Sequence, residues 1–176
     1  MISMLLVSPF AQDCLRVSGT AMENLPHSHL LTLTLDVDFA STTQIGKTPV
    51  GQRGIAPVTG GHFDGPRLRG TIAPGSDWFL VEPDGSLLID VRLTLTTEDG
   101  VAIYLSYTGS MRGKGDAMAR FANGELLDEA DYNLITQAKL ECGDKRYSWV
   151  NGLPVVGVGK QTDNGPVYSL FAIGAY

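Results

Sequence analysis

Along residues 30–39 apolar and polar side chains alternate, with Leu31, Leu33, Leu35, Val37 and Phe39 in one parity and Thr32, Thr34, Asp36 and Asp38 in the other. A period of two puts successive side chains on opposite faces of an extended chain, so the run predicts a strand. Residues 88–96 repeat the pattern, Ile89, Val91, Leu93 and Leu95 opposing Asp90, Arg92, Thr94 and Thr96. Glu98-Asp99-Gly100 then leads into a third run, 101–107, and an Asp-Gly pair between two alternating runs predicts a tight hairpin. Asp84-Gly85 plays the same part after residues 78–82. Further strands are predicted over 132–142, 147–150, 155–160 and 167–176. Gly143-Asp144, Asn151-Gly152 and Asn164-Gly165 separate them, residues that tolerate φ > 0 and so suit turns. A helix fits only 116–127, and Asn123-Gly124 keeps it short.

Nine or ten strands with no helical crossovers predict an antiparallel sandwich or a closed barrel rather than a parallel α/β sheet. The alternation alone leaves both open. In a sandwich the polar face meets water, whereas a barrel turns a polar face inward only around a wet or reactive lumen. No repeat, low-complexity tract or linker divides the chain.

Composition narrows the function classes. With 176 residues, 43% of them hydrophobic and 18% charged, the chain is globular and sized for one domain. Thirteen Lys and Arg against 19 Asp and Glu give a formal charge of -6, which supplies no field for nucleic-acid phosphates or an anionic membrane surface. No apolar run approaches the roughly 20 residues of a membrane helix, and the apolar stretch 4–7 is short for a signal peptide, so the expected location is cytoplasmic. Cys14 and Cys142 form no close-spaced pair; they are free thiols or one disulfide. His27 and His29 could face a metal together from one strand, but no carboxylate or thiol cluster accompanies them, and surface histidines are the expectation. No nucleophile elbow and no dinucleotide fingerprint is present. No Lys-Ser or Lys-Thr follows Gly60-Gly61 or Gly65-Pro66, so those glycines read as turns and no cofactor is expected.

The middle of the chain carries an ordered series: Arg53, then Thr59-Gly60-Gly61-His62-Phe63-Asp64-Gly65-Pro66-Arg67-Leu68-Arg69-Gly70, Pro74-Gly75-Ser76-Asp77-Trp78, Asp84-Gly85, Asp90-Val91-Arg92 and Asp99-Gly100. The series resembles the domain of unknown function 3237 family, small bacterial and fungal proteins, over about residues 30–176. The resemblance implies a single-domain, all-β antiparallel barrel of lipocalin-like appearance over residues 29–176, and a homodimer. It assigns no activity. Residues 1–28 are then an N-terminal arm, whose apolar stretch 4–10 is expected to pack on the barrel or a partner subunit.

Within such a barrel several side chains are candidates for chemistry. Asp90 and Arg92 share a strand face; turned into the lumen they could hold a carboxylate or enolate and move a proton, and turned outward they are a structural ion pair. Asp77, after a Pro-Gly step and before Trp78, could have its pKa lifted by the aromatic ring as a general acid or base requires, or could cap a turn. Tyr104 and Tyr132 could donate to a developing oxyanion or merely anchor packing. Phe63, Trp78 and Trp149 read as core or pocket wall, and Arg53 as a gate at the barrel mouth or a surface residue. The expected function is a cofactor-independent enzyme that binds a small, partly apolar, carbonyl-bearing metabolite and performs isomerisation, hydration, elimination or cyclisation. The alternatives are a non-catalytic carrier or sensor of a small hydrophobic or aromatic metabolite and an interaction module using the N-terminal arm or an exposed strand edge.

Overall fold

A computed structural model describes residues 25–174; residues 1–24 of the expected 1–28 arm, with Cys14, lie outside the described residues. Among the described residues there are eleven strand segments: β1 (His27–Val37), β2 (Thr43–Thr48), β3 (Gly51–Asp64), β4 (Arg69–Ile72), β5 (Gly75–Asp77), β6 (Leu80–Val81), β7 (Leu87–Thr97), β8 (Ala102–Gly113), β9 (Tyr132–Glu141), β10 (Val155–Lys160) and β11 (Val167–Ile173). One short helix, α1 (Ala117–Ala122), joins β8 to β9. β4, β5 and β6 are pieces of one interrupted strand lying between β3 and β7. Every pairing is antiparallel, and β1 pairs with β11 on one side and β3 on the other, so the sheet closes into an eight-stranded barrel with β2 added beside β3.

Closure decides which face of each strand goes inside. Leu31, Leu33 and Leu35 on β1, and Ile89, Val91, Leu93 and Leu95 on β7, all point inward and are 5% exposed or less. Each such side chain withdrawn from water contributes about 1.5–3 kcal/mol, so the apolar parity takes the interior and Thr32, Thr94 and Arg92 face solvent. The polar face does not line the lumen. Asp84-Gly85 and Asp99-Gly100 form the expected hairpin turns, with Gly85 and Gly100 at φ 86° and 82°.

Two segments depart from the sequence expectation. Gly60-Gly61 lies inside β3, where Gly61 adopts φ 138° and a side chain would run into the backbone carbonyl of Thr34. The pairing of β1 with β3 slips between Asp36 and Val37 at this point, so the glycines let a 14-residue strand bend around the barrel rather than end. Residues 147–150, expected as a strand, contain instead a 3-10 turn at Ser148–Val150. The Asp144 carboxylate accepts from the Arg146 amide at 2.9 Å and turns the chain, and Val150, fully buried, plugs the adjacent end of the barrel.

The two ends therefore differ. Leu68, Val101, Cys142, Val150 and Leu153 fill one with packed apolar side chains. At the other, the turn Phe39–Ser41, α1 and the loop 161–166 surround an opening. Arg120 fixes α1 there, its guanidinium donating to Asp131 at 2.6 Å and Glu125 at 2.7 Å.

Candidate functional site

The opening leads into a cavity of about 290 Å³. Its wall is mostly aliphatic and aromatic, with Val58, Phe79, Val91, Met111 and Leu134 typical, while Thr42, Gln44, Gln161 and Thr162 supply neutral polar groups. Among the described residues, Asp77 is the one carboxyl on this wall, and no Lys, Arg or His lines it.

Asp77 ends β5, where the alternation of residues 77–79 sends Asp77 and Phe79 to the lumen and Trp78 to the outer wall. Its carboxyl is enclosed by protein, and the accessible surface it keeps is within reach of a molecule in the cavity. Burial pushes its pKa up to about 7, opposed by a hydrogen bond from the Asp90 backbone N–H to Oδ1 at 3.1 Å; the nearby Asp90 carboxylate adds a smaller push upward. The Trp78 ring that follows it in sequence lies on the outer wall, whereas the Asp77 carboxyl faces the apolar lumen.

Two phenols share this space. Tyr107 on β8 and Tyr168 on β11 are 3% and 2% exposed, with ring centroids 5.3 Å apart and planes tilted by 58°. Burial raises both pKa values above the ordinary phenol range, and the Asp77 charge raises them further, so both hydroxyls keep their protons at any physiological pH. Backbone register explains how two large rings meet inside a small barrel. Gly109, Thr136 and Gly157 stand side by side on the inner wall of β8, β9 and β10, between the cross-strand rows that carry Tyr107 and Tyr168. Gly159, paired with Tyr168, leaves room for that ring: a Cβ there would lie 2.5 Å from Tyr168 Cε1.

The other sequence candidates fall elsewhere. Asp90 and Arg92 form an ion pair at 3.1 Å on the outer wall, with side chains 40% and 51% exposed, because Val91 between them takes the inward position. Tyr104 is 40% exposed on the outer face of β8, opposite in parity to Tyr107. Tyr132 is buried, and its hydroxyl accepts from the Gln161 amide at 2.9 Å, which makes it an anchor for the mouth loop. Arg53 donates from Nη1 to the Trp78 carbonyl at 2.9 Å, and Trp78 lies on the outer wall with the Arg92 guanidinium 5.4 Å from its ring centre. Phe63 is buried core towards the closed end, and Trp149 packs against that core with Arg67 stacked 3.7 Å above its ring. None of Arg53, Phe63, Trp78 and Trp149 lines the cavity. Tyr107 and Tyr168 are the site residues that sequence reasoning missed; both lie in the inward parity of their strands, and a phenol in an apolar parity was the available signal.

A family model for proteins of unknown function, DUF3237, matches residues 27–173. The chain belongs to that family. A relative of this DUF3237 chain, a UPF0311 protein of Clostridium acetobutylicum, is 26% identical over 133 residues, covering 74% of this chain and 83% of its own. The crystal structure of a β-barrel-like protein from Acinetobacter baumannii matches with a TM-score of 0.76 at 28% identity, over 89% of this chain and 100% of that one. A Penicillium herquei protein described as an enzyme matches with a TM-score of 0.66 at 15% identity, over 89% and 99% of the two chains. These likenesses agree with the closed DUF3237 barrel seen here. Among the described residues no helix is long and apolar enough to cross a membrane.

Proposed function

We propose that the barrel is a cofactor-independent enzyme performing proton transfer at carbon on a small, largely apolar carbonyl compound held in the lumen. The observation that carries the reading is one carboxyl and two buried phenols lining the same accessible apolar cavity, where burial raises the pKa of all three groups. A carboxylate of that basicity takes a proton next to a carbonyl and returns it, and a phenol O–H aimed at the carbonyl oxygen stabilises the enolate that forms between the two steps. Asp77 is the acid-base group, and Tyr107 and Tyr168 are the oxyanion donors. Asp90 and Arg92, on the outer wall, have no part in it. The Penicillium herquei barrel is called an enzyme, and at 15% identity that likeness speaks for the fold alone.

The test is exchange of the α-hydrogens of 2-tetralone in D2O, followed by NMR. The protein accelerates exchange above the buffer rate, Asp77→Asn abolishes the acceleration, and Tyr107→Phe lowers it by about 10- to 1,000-fold. Binding of the ketone without accelerated exchange would instead mark a carrier, the reading that the predominantly apolar wall favours.

A further inference from the structure

We infer that the lumen discriminates by charge, admitting uncharged oxygen-bearing molecules and rejecting carboxylates and phosphates. This inference rests on the lumen being the ligand site of the proposed function and specifies the class of substrate it takes.

The argument starts from what an anion would meet inside. Removing a carboxylate from water is tolerated only where a cation or several N–H donors replace the lost hydration. Among the described residues the cavity wall offers no Lys, Arg or His. The guanidinium that could have supplied a cation, Arg92, is committed outside to Asp90, and Arg53 outside to the Trp78 carbonyl. The charge the lumen does contain is negative: once ionised, Asp77 repels a second anion across a medium of low dielectric.

An uncharged acceptor meets different conditions. Tyr107 and Tyr168 each bring a phenol O–H, and Gln44 and Gln161 contribute neutral amides nearer the opening. A ketone, ester, lactone or alcohol oxygen can receive a hydrogen bond from a phenol while its hydrocarbon body lies along Phe79, Val91 and Met111. A cationic amine could pair with ionised Asp77. It would have to shed its own hydration to enter an apolar wall that offers it one carboxylate and few other acceptors, so the uncharged ligand is preferred.

One skeleton in three charge states provides the test: 2-tetralone, 1,2,3,4-tetrahydro-2-naphthoate and 2-aminotetralin, titrated calorimetrically into the full-length protein at pH 8. The Met111 methyl resonance reports whether the ligand enters the cavity, which Met111 lines. The expected result is that the ketone shifts that resonance and binds roughly 100-fold or more tightly than the carboxylate, with the amine between them. Equal or tighter binding of the carboxylate or the amine would overturn the inference, as would failure of the ketone to perturb Met111. The outcome is separable from the proposed reaction: selective ketone binding without hydrogen exchange leaves charge selection standing and removes the enzyme, whereas Asp77-dependent exchange with tighter carboxylate binding does the reverse.

Discussion

The backbone N–H of Asp90 donates to the carboxyl of Asp77 across 3.1 Å, while the side chain of Asp90 points through the opposite face of the wall to Arg92. One residue thus holds the lumen acid with its main chain and an exterior ion pair with its side chain. Replacing either side chain of that pair should therefore leave the lumen intact. Asp90→Asn and Arg92→Met are each expected to change stability by less than about 1 kcal/mol, as exposed pairs do, and to leave 2-tetralone exchange within about twofold of the unmodified protein. Urea denaturation and the exchange assay check this; loss of exchange in both variants with the fold retained would place the chemistry on the outer wall.

Stability should fall with pH because of Asp77. The folded carboxyl has its pKa raised to about 7 from 3.8, so between those values the folded state binds more protons than the unfolded chain, and unfolding free energy declines as pH rises. Above pH 7 the loss is complete and amounts to about 4 kcal/mol at most. Asp77→Asn removes the ionisable group, so its stability relative to the unmodified protein should rise between pH 4 and pH 8. Chemical denaturation at the two pH values measures the difference, and an equal difference at both would show that Asp77 is not perturbed.

Gly159 sets the position of the Tyr168 ring. A methyl group at residue 159 would meet Tyr168 Cε1 at 2.5 Å and Leu134 Cδ2 at 2.6 Å, so Gly159→Ala forces one of them to move. Overpacking of this kind costs about 1–3 kcal/mol. The variant should unfold at lower urea, and its near-ultraviolet circular dichroism should change because the Tyr107–Tyr168 pair is displaced. An unchanged spectrum with unchanged stability would mean that the ring has free space to occupy.

Arg120 joins three carboxylates, Asp116, Glu125 and Asp131, around α1 at the barrel mouth. Arg120→Ala should speed hydrogen exchange of the α1 amides while leaving those of β7 and β8 protected. Uniform exchange behaviour in the two proteins would show that apolar contacts such as Phe121 hold the helix without the ion pairs.

Much of the barrel was legible because period-two alternation marks strands and Asp-Gly pairs mark hairpins. Residues 30–39 and 88–96 follow those rules, and their apolar parity became the interior. β3 was not legible, because Gly60-Gly61 reads as a turn in a one-dimensional pattern although the barrel uses it for a bend within one strand. At the site, Asp77 was visible from its place beside Trp78, but the direction of its environment was not: the aromatic neighbour in sequence lies on the outer wall, while the carboxyl faces the apolar lumen. Asp90 and Arg92 drew attention as a charged pair on one face, and closure of the sheet, which no local pattern encodes, put that face outside. The same parity that excluded Tyr104 admits Tyr107, three residues away on the same strand.

The most direct measurement is the titration of the Asp77 side-chain carboxyl itself, followed by carbon-13 NMR with Asp77→Asn to assign the resonance. A midpoint near 7, with Tyr107 and Tyr168 still protonated at pH 10, is the expected result for an acid-base group in an apolar lumen. A midpoint near 4 would mean that water or an unseen cation stabilises the carboxylate, and the proton-transfer function would lose its central residue.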